Sequence, residues 1–315
     1  MPAIKIIKNR SDIGAGTRGS DLGIDAIEVA AINADNDYFT RFPFIDVDTH
    51  NETIYNKVKS TFAKRITHVR EQCDRVATVV ENTLRKGSFP IVLSGDHSSA
   101  LGTMSGVKAF YPNQRLGVIW IDAHADLHSP YTSPSGNVHG MPLAAALNLD
   151  NTDCQINEVK EVTLEQWSKL KNIGVDGPKL KASDLVFFGV RDTEAPENHL
   201  MEQHQIRNYM VHEVRFRGLQ TCLQEAIEQL SDCDILYISF DVDSLDCDLV
   251  SYGTGTPVPK GFDPEEAKAL IIGLLQTEKV KCLEFTEVNP LLDTKGNFMA
   301  ETAFEVLDAV TEAIN

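Results

Sequence analysis

Four short polar clusters in this sequence carry side chains that bind metals or move protons. They are Gly95-Asp96-His97-Ser98, Asp122-Ala123-His124-Ala125-Asp126, Asp241-Val242-Asp243 and Glu287. In an extended segment alternate side chains point the same way, so Asp122, His124 and Asp126 can share one face, as can Asp241 and Asp243. Brought into one pocket, Asp122, Asp126, Asp241, Asp243 and Glu287 could not all stay ionised without compensating positive charge, because a buried, unpaired carboxylate is strongly disfavoured. A metal cluster supplies that charge. Mixed carboxylate and imidazole donors suit Mn(II), Fe(II), Co(II) or Zn(II), and richness in carboxylates favours Mn(II). There are enough carboxylates to bridge two ions. Each cluster alone has a plainer reading, since Gly95-Asp96-His97-Ser98 or Asp241-Val242-Asp243 could cap a helix or order a loop. Their joint placement argues for metal.

That placement follows from the elements around them. Apolar runs at residues 4–7, 91–94, 117–121, 185–189, 235–240 and 280–285 are short and rich in Val, Ile and Phe, as strands buried on both faces should be. Helix-like segments lie between them, including residues 55–85, 100–110, 222–230, 264–276 and 298–313. The alternation predicts an α/β fold, a single-domain three-layer α/β/α sandwich over residues 1–315 with a doubly wound, mainly parallel sheet. All four clusters stand directly behind apolar strands, at the carboxyl edge of such a sheet, where open α/β folds bind ligands.

With Ser239-Phe240-Asp241-Val242-Asp243-Ser244-Leu245-Asp246 and Glu287-Val288-Asn289-Pro290 added, the clusters resemble the signature motifs of the arginase/agmatinase (ureohydrolase) family, in order and over most of the chain. The resemblance implies two Mn(II) ions per subunit. His97, Asp122, Asp126 and Asp241 would bind one, Asp122, His124, Asp241 and Asp243 the other, and Asp122 and Asp241 would bridge them. It implies a C–N (non-peptide) amidine hydrolase in which a metal-bridging hydroxide attacks a guanidinium carbon. Two cations about 3.5 to 4 Å apart make hydroxide available at neutral pH. Glu287 would pair with the guanidinium, Asp126 would take the proton of the attacking water, and His139 would shuttle protons, a task its near-neutral pKa suits.

The loop from Asp126 to Gly140 bears on the substrate. Its Ser135-Gly136-Asn137-Val138-His139-Gly140 core looks like that of the arginases within the family, where serine and asparagine bind the amino acid end of L-arginine. Ser133 stands where threonine is usual and keeps the hydroxyl. His128 replaces an asparagine that contacts the carboxylate, and Glu194 replaces an aspartate that receives the α-amino group; Thr256 is placed among the substrate contacts with them. The expected reaction is L-arginine to L-ornithine and urea. The alternatives are an agmatinase, a formimidoylglutamase or another guanidino or formimino hydrolase, and, from a different class, a metal-retaining binding protein without activity. The family's habit implies a homo-oligomer, a trimer or hexamer.

Composition bounds the rest. With 46 acidic against 29 Lys and Arg residues the net charge is -17, so nucleic acid and anionic membrane surfaces are not expected partners. The six cysteines form no Cys-x-x-Cys pair, which fits buried thiols in a cytoplasmic protein. No run of about 18 apolar residues appears. Gly14-Ala15-Gly16-Thr17-Arg18-Gly19 has the Gly-x-Gly-x-x-Gly spacing, but the six residues between Ile7 and Gly14 break the tight strand-turn-helix geometry of a dinucleotide site. No Gly-x-Ser-x-Gly elbow points to a serine hydrolase.

Overall fold

In the computed structural model, which describes residues 3–314, eight strands form one sheet in the order β2-β1-β3-β8-β7-β4-β5-β6. These are β1 (Ala3–Asn9), β2 (Phe44–Asp46), β3 (Ser88–Ser94), β4 (Leu116–Ile121), β5 (Leu185–Phe188), β6 (Arg207–Tyr209), β7 (Ile235–Asp241) and β8 (Val280–Thr286). Every neighbouring pair is parallel. The six apolar runs all become strands, and the sheet adds β2 and β6. Each of those has three residues and lies at an edge, too short to leave an apolar signature.

Helices cover both faces. On one side lie α1 (Gly23–Asn33), α8 (Val211–Arg217), α9 (Leu219–Gln229), α10 (Pro264–Leu275) and α11 (Phe298–Glu312), whose buried faces join one apolar cluster with Ile6, Ile119, Ile238 and Leu283. The short α2 (Tyr38–Arg41) adds Tyr38 to it. On the other side α3 (Ile66–Arg85), α4 (Ala100–Phe110), α5 (Pro142–Leu147), α6 (Glu161–Lys171) and α7 (Ala195–Gln203) pack with Ile7, Val92, Trp120 and Tyr237 into a second cluster. Side chains alternate along each strand, so the sheet feeds both cores. This is the expected three-layer sandwich.

Residues 55–85 are not one helix. The α-helix spans Ile66–Arg85, because Arg65 adopts a left-handed backbone (φ 55°) that stops the helix running back. The segment before it is tied elsewhere: Lys64 N donates to Gly136 O (2.7 Å), and the Lys64 ammonium to Asn137 Oδ1 (3.1 Å). Tertiary contact overrides local propensity here. Among the described residues no helix is long and apolar enough to cross a membrane.

Candidate metal and active site

The central strands β3, β8, β7 and β4 are contiguous, and their carboxyl ends release His97, Glu287, Asp241 with Asp243, and Asp122 with His124 and Asp126. Four segments far apart in sequence thus meet at one sheet edge, as the position of the polar clusters anticipated. Two of these carboxylates need unusual backbone. Asp126 (φ 50°) and Glu287 (φ 67°) sit in the left-handed region, a cost of order 1–3 kcal/mol each. Neighbouring hydrogen bonds hold them there: Leu143 N donates to Asp126 O (3.2 Å), and Glu287 N to Gly95 O (2.9 Å).

His97 is the focus of the first donor group. Its Nδ1 lies 3.0 Å from Asp122 Oδ2, 3.2 Å from Asp126 Oδ2 and 3.1 Å from Asp241 Oδ2, yet is hydrogen-bonded to none of them. One ring nitrogen and three carboxylate oxygens converge there, a set of donor atoms suited to a cation. Nε2 pairs with Ser239 Oγ (2.8 Å), and the ring stacks on Trp120 at 4.1 Å and 7°. Those two contacts fix the ring plane and its aim.

The second group centres on His124, whose Nδ1 lies 3.0 Å from Asp243 Oδ2 and 3.5 Å from Asp122 Oδ1. Asp122 therefore turns one oxygen to each imidazole. Its orientation is built in: Trp120 Nε1 donates to Oδ2 (2.8 Å) and His124 N to Oδ1 (2.7 Å). His97, Asp122 and Asp126, and again Asp122, His124 and Asp243, each bring donor atoms within 4.8 Å of one another, spacing that can hold a metal ion. Asp241 reaches the first group through Oδ2, while its Oδ1 accepts from Asp243 N (2.8 Å).

The electrostatics show what is missing from the protein's own charges. Burial, then Asp243 and Asp122, push the Asp241 carboxyl well above its ordinary range. Burial and Asp122 raise Asp126 to about 6. Asp122 goes the other way, since His124 and His97 outweigh its burial and hold it low. Cations held among these carboxylates would offset their burial and mutual repulsion, and the residues present fit metal.

Glu287 and His139 stand beside this cluster. Glu287 Oε1 accepts from His97 N (2.9 Å) and pairs with His139 Nδ1 (3.1 Å), whereas Oε2 has one long bond, from Ser20 Oγ (3.4 Å). Burial opposes charge on both side chains, but they compensate each other: Glu287 is held below its usual range, and His139 is pushed up to about 9.

One cavity of about 240 Å³ is lined by His97, Asp122, His124, Asp126, Asp241, Asp243 and Glu287, with His128, Ser135, His139, Glu194 and Thr256 from the remaining expected residues. Thr256 Oγ1 donates to Asp243 Oδ2 (3.2 Å). Two expected residues do not line it. Ser133 is buried with Oγ accepting from Gly136 N (2.9 Å), and Asn137 Oδ1 accepts from the Lys64 ammonium. His128 Nε2 is already engaged, 2.5 Å from Glu194 Oε2 and 3.5 Å from Glu197 Oε2.

Sequence reasoning passed over Asp192, Thr193 and Glu197, which also line the cavity. A signal for Glu197 existed. It sits three residues after Glu194 with Pro196 between, the pattern of a helix start, and its Oε2 accepts from Glu194 N (3.0 Å). Arg191 carried none. Its guanidinium donates to the carbonyls of Asp243 (2.9 Å) and Val258 (2.7 Å), tying the end of β7 to the loop that bears Thr256.

Residues 3–312 match the model of the arginase family. The chain belongs to that family. An arginase from Brevibacillus brevis is 35% identical over 311 residues, spanning 95% of this chain and 94% of its own length. An arginase from Bacillus subtilis (strain 168) is 33% identical over 309 residues, 98% of this chain and 97% of its own. The solved structure of arginase from Bacillus caldovelox superposes with a TM-score of 0.82 at 32% identity, covering 98% of both chains. This arginase-family hydrolase is therefore similar to those relatives along nearly all of its length.

Proposed function

We propose that this enzyme hydrolyses the guanidinium group of L-arginine to L-ornithine and urea at a site holding two Mn(II) ions. The observation that carries the proposal is Asp122, with one oxygen toward each of two imidazoles, in a chain similar along its length to arginases. His97, Asp122, Asp126 and Asp241 would hold one ion, and Asp122, His124, Asp241 and Asp243 the other. Such a pair, when bound, makes hydroxide available from water at neutral pH.

The chain's own groups handle the substrate and the protons. Glu287 Oε1 is filled by the His97 amide and His139, so Oε2 is the oxygen free to receive a guanidinium N–H. Of the residues expected to read the amino acid end, Ser135 is the loop hydroxyl at the cavity, and Glu194, which also lines it, would receive the α-ammonium. Asp126, raised to about 6, can take a proton from the attacking water. His139, raised to about 9 and bonded through Nδ1, can give one to the leaving amine from Nε2. The family resemblance further implies a trimer or hexamer, which light scattering reads directly.

Urea or ammonia release from arginine, agmatine, guanidinobutyrate and formimidoylglutamate, each with added Mn(II), tests the assignment. Arginine should be preferred. A chain that cleaves agmatine as efficiently as arginine is not reading the carboxylate, and a chain that cleaves none of the four is not this enzyme. Ser135→Ala should shrink the arginine-to-agmatine preference by about tenfold, the value of a lost hydrogen bond to a charged group, and more than Asn137→Ala, whose side chain faces Lys64. An unchanged preference in Ser135→Ala removes that residue from the substrate contacts.

His139→Ala should lower kcat by about 10²-fold with metal content intact, and added imidazole should restore part of it, as for a proton carrier replaced by a buffer base. Normal turnover would leave His139 as a structural partner of Glu287.

A further inference from the structure

Residues 12–20 contain the Gly-x-Gly-x-x-Gly spacing without the strand-turn-helix geometry of a nucleotide site. The structure puts them against both Glu287 and His139. Gly14 N donates to Asp96 Oδ2 (2.9 Å), and Gly14 O accepts from His139 N (3.2 Å), so one residue links Asp96, next to His97, to the proposed proton carrier. Ser20, buried, donates Oγ to Glu287 Oε2 (3.4 Å). The segment is anchored from behind: Asp12 accepts from Gly19 N through Oδ2 (2.9 Å) and pairs with Arg18 through Oδ1, while Asn289 Nδ2 donates to Arg18 O (3.2 Å).

The glycines are explained by this packing. A Cβ on Gly14 would stand 2.5 Å from Ser98 Oγ and 2.8 Å from Asp96 Oδ1, and one on Gly16 would collide with the Asn137 amide. Gly19 has φ 124°, open to glycine alone, and a Cβ there would strike Asn289. Side chains are excluded where the segment touches the two sides of the site. Its Ser20 end meets the guanidinium carboxylate, and its Gly16 end meets the loop that carries Ser135.

We infer that residues 12–20 are a positioning element for catalysis, in which Ser20 aims Glu287 Oε2 at the guanidinium and Gly16 leaves the space that seats the 133–139 loop. The inference rests on the assignment of Glu287 to the guanidinium. Ser20 and Gly16 act through Glu287 and Asn137; neither needs to touch substrate.

The two ends are separable with partial ligands on the Mn(II)-loaded enzyme. Guanidinium ion at millimolar concentration probes the Glu287 end alone, and L-ornithine the amino acid end. Ser20→Ala should raise KM for arginine and Ki for guanidinium by the same factor, about three- to tenfold for one weakened contact to a charged group, and leave Ki for ornithine and metal content unchanged. Gly16→Ala should do the reverse, weakening ornithine and arginine but not guanidinium. Ser20→Thr, which keeps the hydroxyl, should recover part of the guanidinium affinity. If both variants weaken both probes equally, the segment is only structural; if neither moves either probe, it positions nothing. Should the enzyme prefer another amidine, guanidinium Ki still reads Ser20, and only the ornithine arm passes to that substrate's own far-end product.

Discussion

Asp241→Asn and Asp122→Asn should each lose both metal ions, and urea release should fall by on the order of 10³-fold or more, while His97→Ala mainly weakens one ion. Asp122 supplies an oxygen to each imidazole group, so neutralising it strips a donor from both sites at once. Asp241 lies 3.1 Å from His97 Nδ1 and orders Asp243 through the Asp243 N–H, so its change also reaches both sites. Asparagine keeps the shape and an acceptor for that N–H, which separates charge from folding. A second readout has the opposite sign. Because burial, Asp243 and Asp122 already disfavour the charged form of Asp241, Asp241→Asn should raise the Tm of the metal-free protein at neutral pH. The same change should shrink the Tm gain on adding Mn(II), since a ligand stabilises only as far as it binds the native state. Two ions retained in Asp241→Asn, with an unchanged Mn(II)-induced Tm gain, would remove it from the cluster.

Much of this site was legible because its residues directly follow strands buried on both faces. Apolar runs such as 117–121 and 235–240 mark strands without help from pattern periodicity, and whatever polar residue comes next must emerge at the sheet edge. That logic gathers His97, Asp122, Asp241 and Glu287 without any knowledge of strand order. It fails where a residue's direction is set by a distant partner. Ser133 and Asn137 read as substrate contacts, and the sequence gives no hint that Gly136 N bonds one side chain and Lys64, some seventy positions earlier, the other. Residues 55–64 failed as a helix for the same reason, since Lys64 N is spent on Gly136 O. The glycines at 14, 16 and 19 were visible as a motif but misleading as one. What they accommodate is Asp96, Asn137 and Asn289, which only the folded chain brings near.

Glu287→Gln should lower kcat/KM for arginine by about 10²- to 10³-fold, the ~3–4 kcal/mol expected when one partner of a buried, hydrogen-bonded charge pair is neutralised. The geometry explains why an isosteric amide should not be tolerated. Oε1 accepts from both the His97 N–H and His139, so the carbonyl oxygen of a glutamine must occupy that position. Its NH₂ then falls where Oε2 was, and a guanidinium, which has only donors, would meet another donor. Affinity for guanidinium ion should drop with that for arginine, whereas ornithine, which lacks the group, should bind as before. The His139 imidazole, no longer paired with a carboxylate, should lose the interaction that raises it to about 9 and titrate lower. A basic group with a lowered pKa loses its proton at lower pH, so the alkaline limb of the kcat profile should move to lower pH in the variant. Metal content separates this from damage to the cluster, because Glu287 touches His97 only through the backbone amide. Unchanged guanidinium affinity in Glu287→Gln would show that the substrate's charged end is held elsewhere.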